Sequence, residues 1–163
     1  ISISKTTLKK LKKIKPKVFF GGTFSGNSIT TFVGNEILNY ILKNKKKIFK
    51  KINKNAEYFE KNLNKFFKEK NIDLKIYRFK SMLRLVYTKD LLKDRVGRDF
   101  LENKKNKQIL EFQSYIKNKN IYVPSSGLMF LSYSHERRHI NFIIKEFKKG
   151  SLKIFNEKKK VWV

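Results

Sequence analysis

Apolar residues recur at helical spacing through a long segment that follows a glycine-rich stretch. The recurring positions are Ile37, Ile41, Ile48, Ile52, Phe59 and Leu63. Lys and Asn fill the steps between them, and the segment contains no Pro. The pattern predicts one long amphipathic helix that starts at a cap near Asn27 or Ser28 and runs to about Phe67.

The remaining elements are short. Residues 1–17 have apolar positions at helical spacing and predict a short helix that ends near Pro16. Further on, the pattern predicts strands at 74–77, 82–87, 120–123 and 128–133, a loop at 89–103, and helices at 107–117 and 136–149. We expect a turn at Lys80 and Ser81, a cap at Ser134 for the last helix, and an end to that helix at Gly150.

This order of elements predicts an α+β fold with a small sheet covered by helices. The long helix exceeds the length that such a small sheet covers. Its surplus apolar face indicates that additional protein packs against it. We find no internal repeat and no linker that separates two independent domains.

The charge is extreme but has a simple origin. The 163 residues include 40 Lys and Arg against 13 Asp and Glu, for a net charge of +27, and 34 of the 40 are Lys. Abundant Lys, Asn, Ile and Phe with a single Ala indicate an A/T-rich genome rather than selection for phosphate contacts. Arg, the preferred reader of phosphates and bases, is scarce. A basic nucleic-acid-binding module therefore stays a lesser alternative.

Other classes of protein are excluded by composition. The chain has no Cys, which removes disulfide scaffolds, thiol catalysis and Cys-built zinc sites. No apolar run reaches the roughly 18 residues that a membrane-spanning helix requires. We therefore expect a cytoplasmic protein with no membrane partner and no secretion signal.

The glycine-rich stretch from Gly21 to Ser28 is the first candidate site. Its glycines allow the backbone to approach a ligand closely, and it leads into a helix N-terminus. Backbone N–H groups and the helix dipole at such a place favour an anion, phosphate above all. The stretch lacks the Gly-Lys-Ser/Thr of a P-loop and the spacing of a dinucleotide fingerprint. An ordinary tight loop before a helix is the alternative interpretation.

The second candidate is His135-Glu136-Arg137-Arg138-His139, which fits the H-E-x-x-H pattern of zinc proteases. The chain has no other His, and two arginines flank the site. The pattern also falls on the first turn of its predicted helix. A zinc-dependent hydrolase is therefore a second alternative, and we expect no metal.

Three segments of the chain match motifs of one known family. Residues 20–31 resemble the motif G-T-x-S-G-N-P, with Ser28 in place of Pro. Residues 81–88 are similar to a strand that follows Gly-Ser-Met, and residues 120–126 and 130–135 resemble G-I-Y-L-P-P-S and F-L-S-x-A-H. Together these segments resemble the class III pyridoxal-phosphate aminotransferases, and most of all their glutamate-1-semialdehyde aminomutase branch, in which this His binds no metal.

The resemblance implies a fold, a cofactor and a partner. The fold is the C-terminal small domain of a fold-type I transferase, preceded by a linking helix, with divisions at 1–28, 29–69, 70–150 and 151–163. The cofactor is pyridoxal 5'-phosphate, whose phosphate is held by Gly22 and Thr23. The enzyme is a homodimer in which this contact crosses the interface, and its substrate is a small amino or keto compound.

The resemblance also implies that part of the machinery lies outside this chain. The family's Schiff-base lysine, its pyridinium-binding Asp and its ring-stacking aromatic all precede the G-T motif. Lys5 is too near Thr23 to be that lysine. We therefore expect a C-terminal portion that is inactive alone and contains no catalytic residue. Aminotransferase and aminomutase activities both stay open for the parent enzyme.

Overall fold

The computed structural model describes residues 6, 9, 10, 13, 22, 26–90 and 92–155. The predicted helix at 1–17 falls mostly outside them. By its internal contacts the chain divides into two units, residues 1–44 and 45–163. The second unit contains the sheet and three shorter helices.

The long predicted helix is confirmed as α1, Ser28–Glu69. Asn27 caps it, since the Asn27 Oδ1 accepts a hydrogen bond from the Thr30 N–H at 3.0 Å. Its buried residues recur every three or four positions from Ile48 onward, which places them on one face of the helix. They are Ile48, Ile52, Asn55, Ala56, Phe59, Leu63 and Phe67.

Three antiparallel strands form one sheet in the order β1-β2-β3. The strands are β1 (Lys75–Phe79), β2 (Met82–Val86) and β3 (Leu128–Phe130). The predicted hairpin turn is confirmed, and Lys80 adopts a φ of 54° within it. The predicted strand at 128–133 is confirmed only over its first half.

One face of the sheet packs on α1. Leu83 and Leu85 alternate with Arg84 along β2 and are buried, whereas Arg84 lies on the opposite face. The Asn64 side chain of α1 exchanges two hydrogen bonds of 2.8 Å with the Ile76 backbone. These bonds fix the edge strand β1 against the helix.

The prediction of a loop at residues 95–103 is wrong. Arg95–Asn103 forms a helix, α2. Asp94 caps it by accepting a hydrogen bond from the Gly97 N–H at 2.7 Å. The segment has few apolar residues, so its hydrophobic pattern does not indicate a helix. The capping residue Asp94 is the sequence signal that could have predicted one.

Two further helices were predicted, and both are present. They are α3, Asn106–Lys117, and α4, Arg137–Phe155. The expected end of α4 at Gly150 is wrong, because Gly150 is a buried helical residue against the Tyr115 and Phe112 rings. The helix therefore continues into the segment predicted as a basic tail, 151–163.

The predicted strand at 120–123 and the predicted cap at Ser134 are also wrong. Residues 120–123 have no regular structure, because the Ile121 N–H donates back to the Ile116 carbonyl and closes the end of α3. Helix α4 begins three residues after Ser134. There the Glu136 N–H donates to the His139 Nδ1 at 3.2 Å.

Aromatic side chains join the helices into one core in the second unit. Phe112 makes edge-to-face contacts with Phe147 at 5.5 Å and with Phe155 at 5.9 Å between ring centroids. Phe59 of α1 contacts Phe147 at 5.6 Å. This arrangement of helices against a small antiparallel sheet confirms the predicted α+β fold.

Candidate cofactor-binding site

The helix start that follows the glycine-rich stretch is well formed. Asn27 accepts hydrogen bonds from the Thr30 N–H and hydroxyl through its side chain, and from the Thr31 N–H through its carbonyl at 2.9 Å. Gly26 has a φ of 73°, which favours glycine. No acidic residue lies in the first turn of α1, so that turn contains no carboxylate to neutralise the positive end of the helix dipole.

Of the two predicted site residues, the structure describes one. Gly22 is exposed and has a φ of 153°, a backbone conformation that other residues rarely adopt. Thr23 lies outside the described residues. The assignment of Gly22 and Thr23 to a cofactor phosphate therefore stays a prediction.

The first four turns of α1 expose large apolar side chains. We call residues 28–44 the N-terminal half-helix. Between Ser28 and Leu42 its only charged residue is Glu36, in a chain that is 33% charged. Its exposed large apolar residues are Ile29, Phe32, Val33, Ile37, Leu38, Tyr40 and Leu42. This exposure agrees with the surplus apolar face that the sequence predicts.

The H-E-x-x-H residues do not have the helical arrangement of the zinc motif. His135 precedes α4, so the two histidines do not lie one turn apart on a helix as the zinc motif requires. The His135 Nδ1 is 2.9 Å from the Ser132 N–H, which donates to it. In the ranges 26–90 and 92–155, no three His, Asp or Glu side chains gather around a point that would hold a metal.

The structure instead brings two of the family-like segments together. A cavity of about 910 Å³ is lined by residues 120–122 on one side and by Ser134 and His135 on the other. The Asn55 side chain of α1 donates to the His135 carbonyl at 3.0 Å and holds this corner in place. Arg138 and His139 also line the cavity, and the sequence pattern gave them no role there.

Two curated proteins align with most of the chain. A glutamate-1-semialdehyde 2,1-aminomutase of Alkaliphilus metalliredigens (strain QYMF) is 29% identical over 144 residues, which are 85% of this chain and 31% of the relative. One of Clostridium novyi (strain NT) is 30% identical over 131 residues, 78% of this chain and 29% of the relative. Over most of its length the chain is therefore similar to glutamate-1-semialdehyde 2,1-aminomutases of the class III aminotransferase family.

The fold agrees with this similarity. An omega-transaminase from Sphaerobacter thermophilus superimposes with a TM-score of 0.64 at 13% identity, over 83% of this chain and 30% of the transaminase. No family model matches the sequence. The chain thus spans about three tenths of the length of the aminotransferase-family proteins that it resembles.

None of the helices in the described ranges is both long enough and apolar enough to cross a bilayer.

Proposed function

We propose that this chain is the C-terminal portion of a pyridoxal-phosphate-dependent class III aminotransferase or aminomutase. The parent enzyme transfers an amino group between small amino and keto compounds, or moves it from one carbon to another within one such compound. The observation that carries the proposal is the similarity to two aminomutases over about four fifths of the chain. The G-T-x-S-G-N-like segment at residues 22–27, which leads into a capped helix start, supports it.

The described residues near that segment suit a phosphate group. Gly22 has a conformation that leaves its backbone open to close approach, and the first turn of α1 carries no carboxylate that would repel an anion. In the proposal, the Gly22 N–H and the Thr23 hydroxyl donate hydrogen bonds to the cofactor phosphate of the partner subunit. They anchor and orient the cofactor.

Pyridoxal phosphate, when bound, supplies an electron sink for cleaving bonds at the carbon that carries the amino group. The lysine that attaches the cofactor belongs to the rest of the parent enzyme in this proposal. The 163-residue chain by itself is therefore expected to lack amino-transfer activity.

The N-terminal half-helix supports the assignment to a larger assembly. Ile29, Phe32 and Leu42 each expose about two thirds of their surface or more, and such apolar patches mark protein interfaces. In the proposal, the remainder of the parent enzyme and the second subunit of a homodimer cover this half-helix.

The site assignment is tested by Thr23→Ala in the protein encoded by the whole reading frame that contains this chain. Loss of one hydrogen bond to a charged phosphate is expected to weaken cofactor binding about ten- to a hundredfold. Ser114→Ala removes a hydroxyl from an exposed position of α3, outside the glycine-rich stretch, and is the matched control. Cofactor titration followed by absorbance gives both affinities. Equal affinity for Thr23→Ala and wild type would refute the role of Thr23.

A further inference from the structure

Three of the six arginines of the chain lie around one cavity in the second unit. Arg84, Arg95 and Arg98 line a space of about 470 Å³ together with the carboxylates of Asp99 and Glu102. A neighbouring cavity of about 280 Å³ is lined by the same three arginines. In a chain with 34 lysines, this concentration of guanidinium groups stands apart from the general basic surface.

The fold brings these arginines together from two elements. Arg84 is in the middle of the central strand β2, where its cross-strand partners are Tyr77 and Leu128. It therefore lies on the sheet face opposite to Leu83 and Leu85, which are buried in the core. Arg95 and Arg98 come from the first turn of α2, which Asp94 caps. Both elements are fixed by backbone hydrogen bonds.

The two carboxylates are already engaged with the other two arginines. The Arg98 Nη2 is 2.5 Å from the Asp99 Oδ1, and its Nε is 3.5 Å from the Glu102 Oε2. The Arg95 Nε is 3.3 Å from the Asp99 Oδ2. The second oxygen of Glu102 accepts the Tyr87 N–H at 3.2 Å. Three guanidinium groups thus face two carboxylates, which leaves one positive charge in excess.

Arg84 is the group that carries the excess. Its Nε is buried and, among the residues that the structure describes, has no hydrogen-bond partner, although buried donors are almost always paired. Burial and then the nearby Arg98 charge lower the pKa of Arg84, but an arginine stays protonated in proteins. The guanidinium group of Arg84 lines the open cavity, and this cation is suited to an anionic ligand.

We propose that the Arg84 cluster, defined as Arg84, Arg95 and Arg98, binds the carboxylate group of a small organic acid. One excess positive charge matches one carboxylate, and the planar guanidinium fork matches its two oxygens. Ser125 and Ser126 line the same cavity. The Ser126 Oγ accepts the Leu128 N–H at 3.3 Å, so its own hydrogen is available to donate. The proposal does not rest on the aminotransferase function.

The test is an NMR titration of the arginine side-chain Nε–H signals, of which the 163-residue chain has six. Succinate and acetate are added at constant ionic strength against sodium chloride. We expect a saturable shift of the Arg84 Nε–H signal and of the Ser125 and Ser126 amides. A shift that is linear, or equal to that in chloride alone, would overturn the proposal.

Two substitutions sharpen the result. Arg84→Gln is expected to abolish saturation at the Ser125 and Ser126 amides, whereas Arg138→Gln removes the same charge from an exposed ion pair with Glu136 and leaves saturation intact. If Arg84→Gln fails to fold, Arg84→Lys keeps the charge without the fork, and we expect about tenfold weaker binding. Unchanged binding in the folded Arg84 variant would overturn the proposal. Saturation by inorganic phosphate at a lower concentration than by succinate would overturn the carboxylate assignment.

Discussion

The two halves of α1 share one sequence pattern and have opposite surroundings. In residues 45–69, which we call the core half-helix, Ala56, Phe59 and Leu63 are at most 1% exposed. In the N-terminal half-helix, Phe32 is 67% exposed and Ile37 is 54% exposed. Apolar residues at helical spacing are present in both. Periodicity therefore identifies the apolar face of a helix but not the protein that covers it.

The charge distribution separates the two halves where periodicity does not. The core half-helix carries many Lys and Glu residues on its outer face, including the Lys61–Glu57 ion pair at 2.5 Å. The N-terminal half-helix is almost free of charge from Ser28 to Leu42. In so basic a chain, a helix face that is exposed only to water is expected to carry many charged residues. Their scarcity in the N-terminal half-helix supports an interface role for it.

The largest expected difference between the halves comes from a matched pair of phenylalanine truncations. Phe59→Ala removes a fully buried ring from the core, and we expect the free energy of unfolding of the 163-residue chain to fall by about 3–5 kcal/mol. Phe32→Ala removes an exposed ring and is expected to change it by less than about 0.5 kcal/mol. Urea unfolding followed by circular dichroism measures both.

A loss above about 2 kcal/mol for Phe32→Ala in the isolated chain would break the comparison, since such losses belong to buried side chains. In the complete parent enzyme the proposal expects Phe32→Ala to become destabilising, because the half-helix is then covered.

The glycines of two helices give the second test. A Cβ at Gly150 in α4 would lie 2.7 Å from the Tyr115 Cδ1 and 3.1 Å from the Phe112 Cε2, so Gly150→Ala is expected to cost about 1–3 kcal/mol through overpacking. Among the residues that the structure describes, a Cβ at Gly34 meets nothing within 4 Å. Gly34→Ala is therefore expected to stabilise the helix by about 0.5–1 kcal/mol. Thermal unfolding of the two variants measures both changes in stability. Stabilisation by Gly150→Ala would show that the α3–α4 contact is loosely packed.

Alkaline pH tests how tightly the core around Tyr87 excludes water. Burial raises the pKa of Tyr87 to about 12, against a smaller opposing effect of Gln113. The folded pKa is thus above the unfolded value of about 10. The corresponding stability is fully present below pH 10 and is lost as the pH rises through 12.

Tyr87→Phe removes this titration. Relative to its effect at pH 8, the variant is expected to gain about 1.4 kcal/mol over wild type at pH 11, one unit from each pKa. Urea unfolding at the two pH values measures the difference. An identical difference at pH 8 and pH 11 would mean that water reaches the Tyr87 hydroxyl.

The smallest expected effect is at the start of α1. Asn27→Ala removes the acceptor of the Thr30 N–H and is expected to weaken the first turn by about 1 kcal/mol. Faster amide hydrogen exchange in residues 28–33 would report it. Asn35→Ala, at an exposed position in the helix interior, is the control and is expected to leave exchange there unchanged. Equal exchange in both variants would show that the cap does not hold the helix start.

Elements with strong periodicity or clear turn chemistry were predictable from the sequence. Helix α1 and the hairpin around Lys80 belong to this group. The elements that escaped prediction depend on tertiary contacts or on caps without an apolar stripe. From the sequence, Gly150 indicates a helix end, because its packing against the rings of α3 is visible only in the fold. Helix α2 is defined mainly by its cap Asp94 and by ion pairs.

The same distinction applies to the candidate sites. The stretch that contains Gly22 and Thr23 is continuous in sequence, so its glycines and the helix start after it were visible at once. The Arg84 cluster joins a strand to a helix that was predicted as a loop. Arg84 lies 11 or more positions before the two α2 arginines along the chain, and only the fold brings the three residues together.

The most direct test of the central claim is the cofactor content of the complete protein, meaning the product of the whole reading frame that contains this chain. The protein is purified with and without added pyridoxal phosphate, and the cofactor released on denaturation is quantified. The aminotransferase-family function predicts about one pyridoxal phosphate for each subunit. A complete, folded protein that holds none, even after reconstitution, would contradict it.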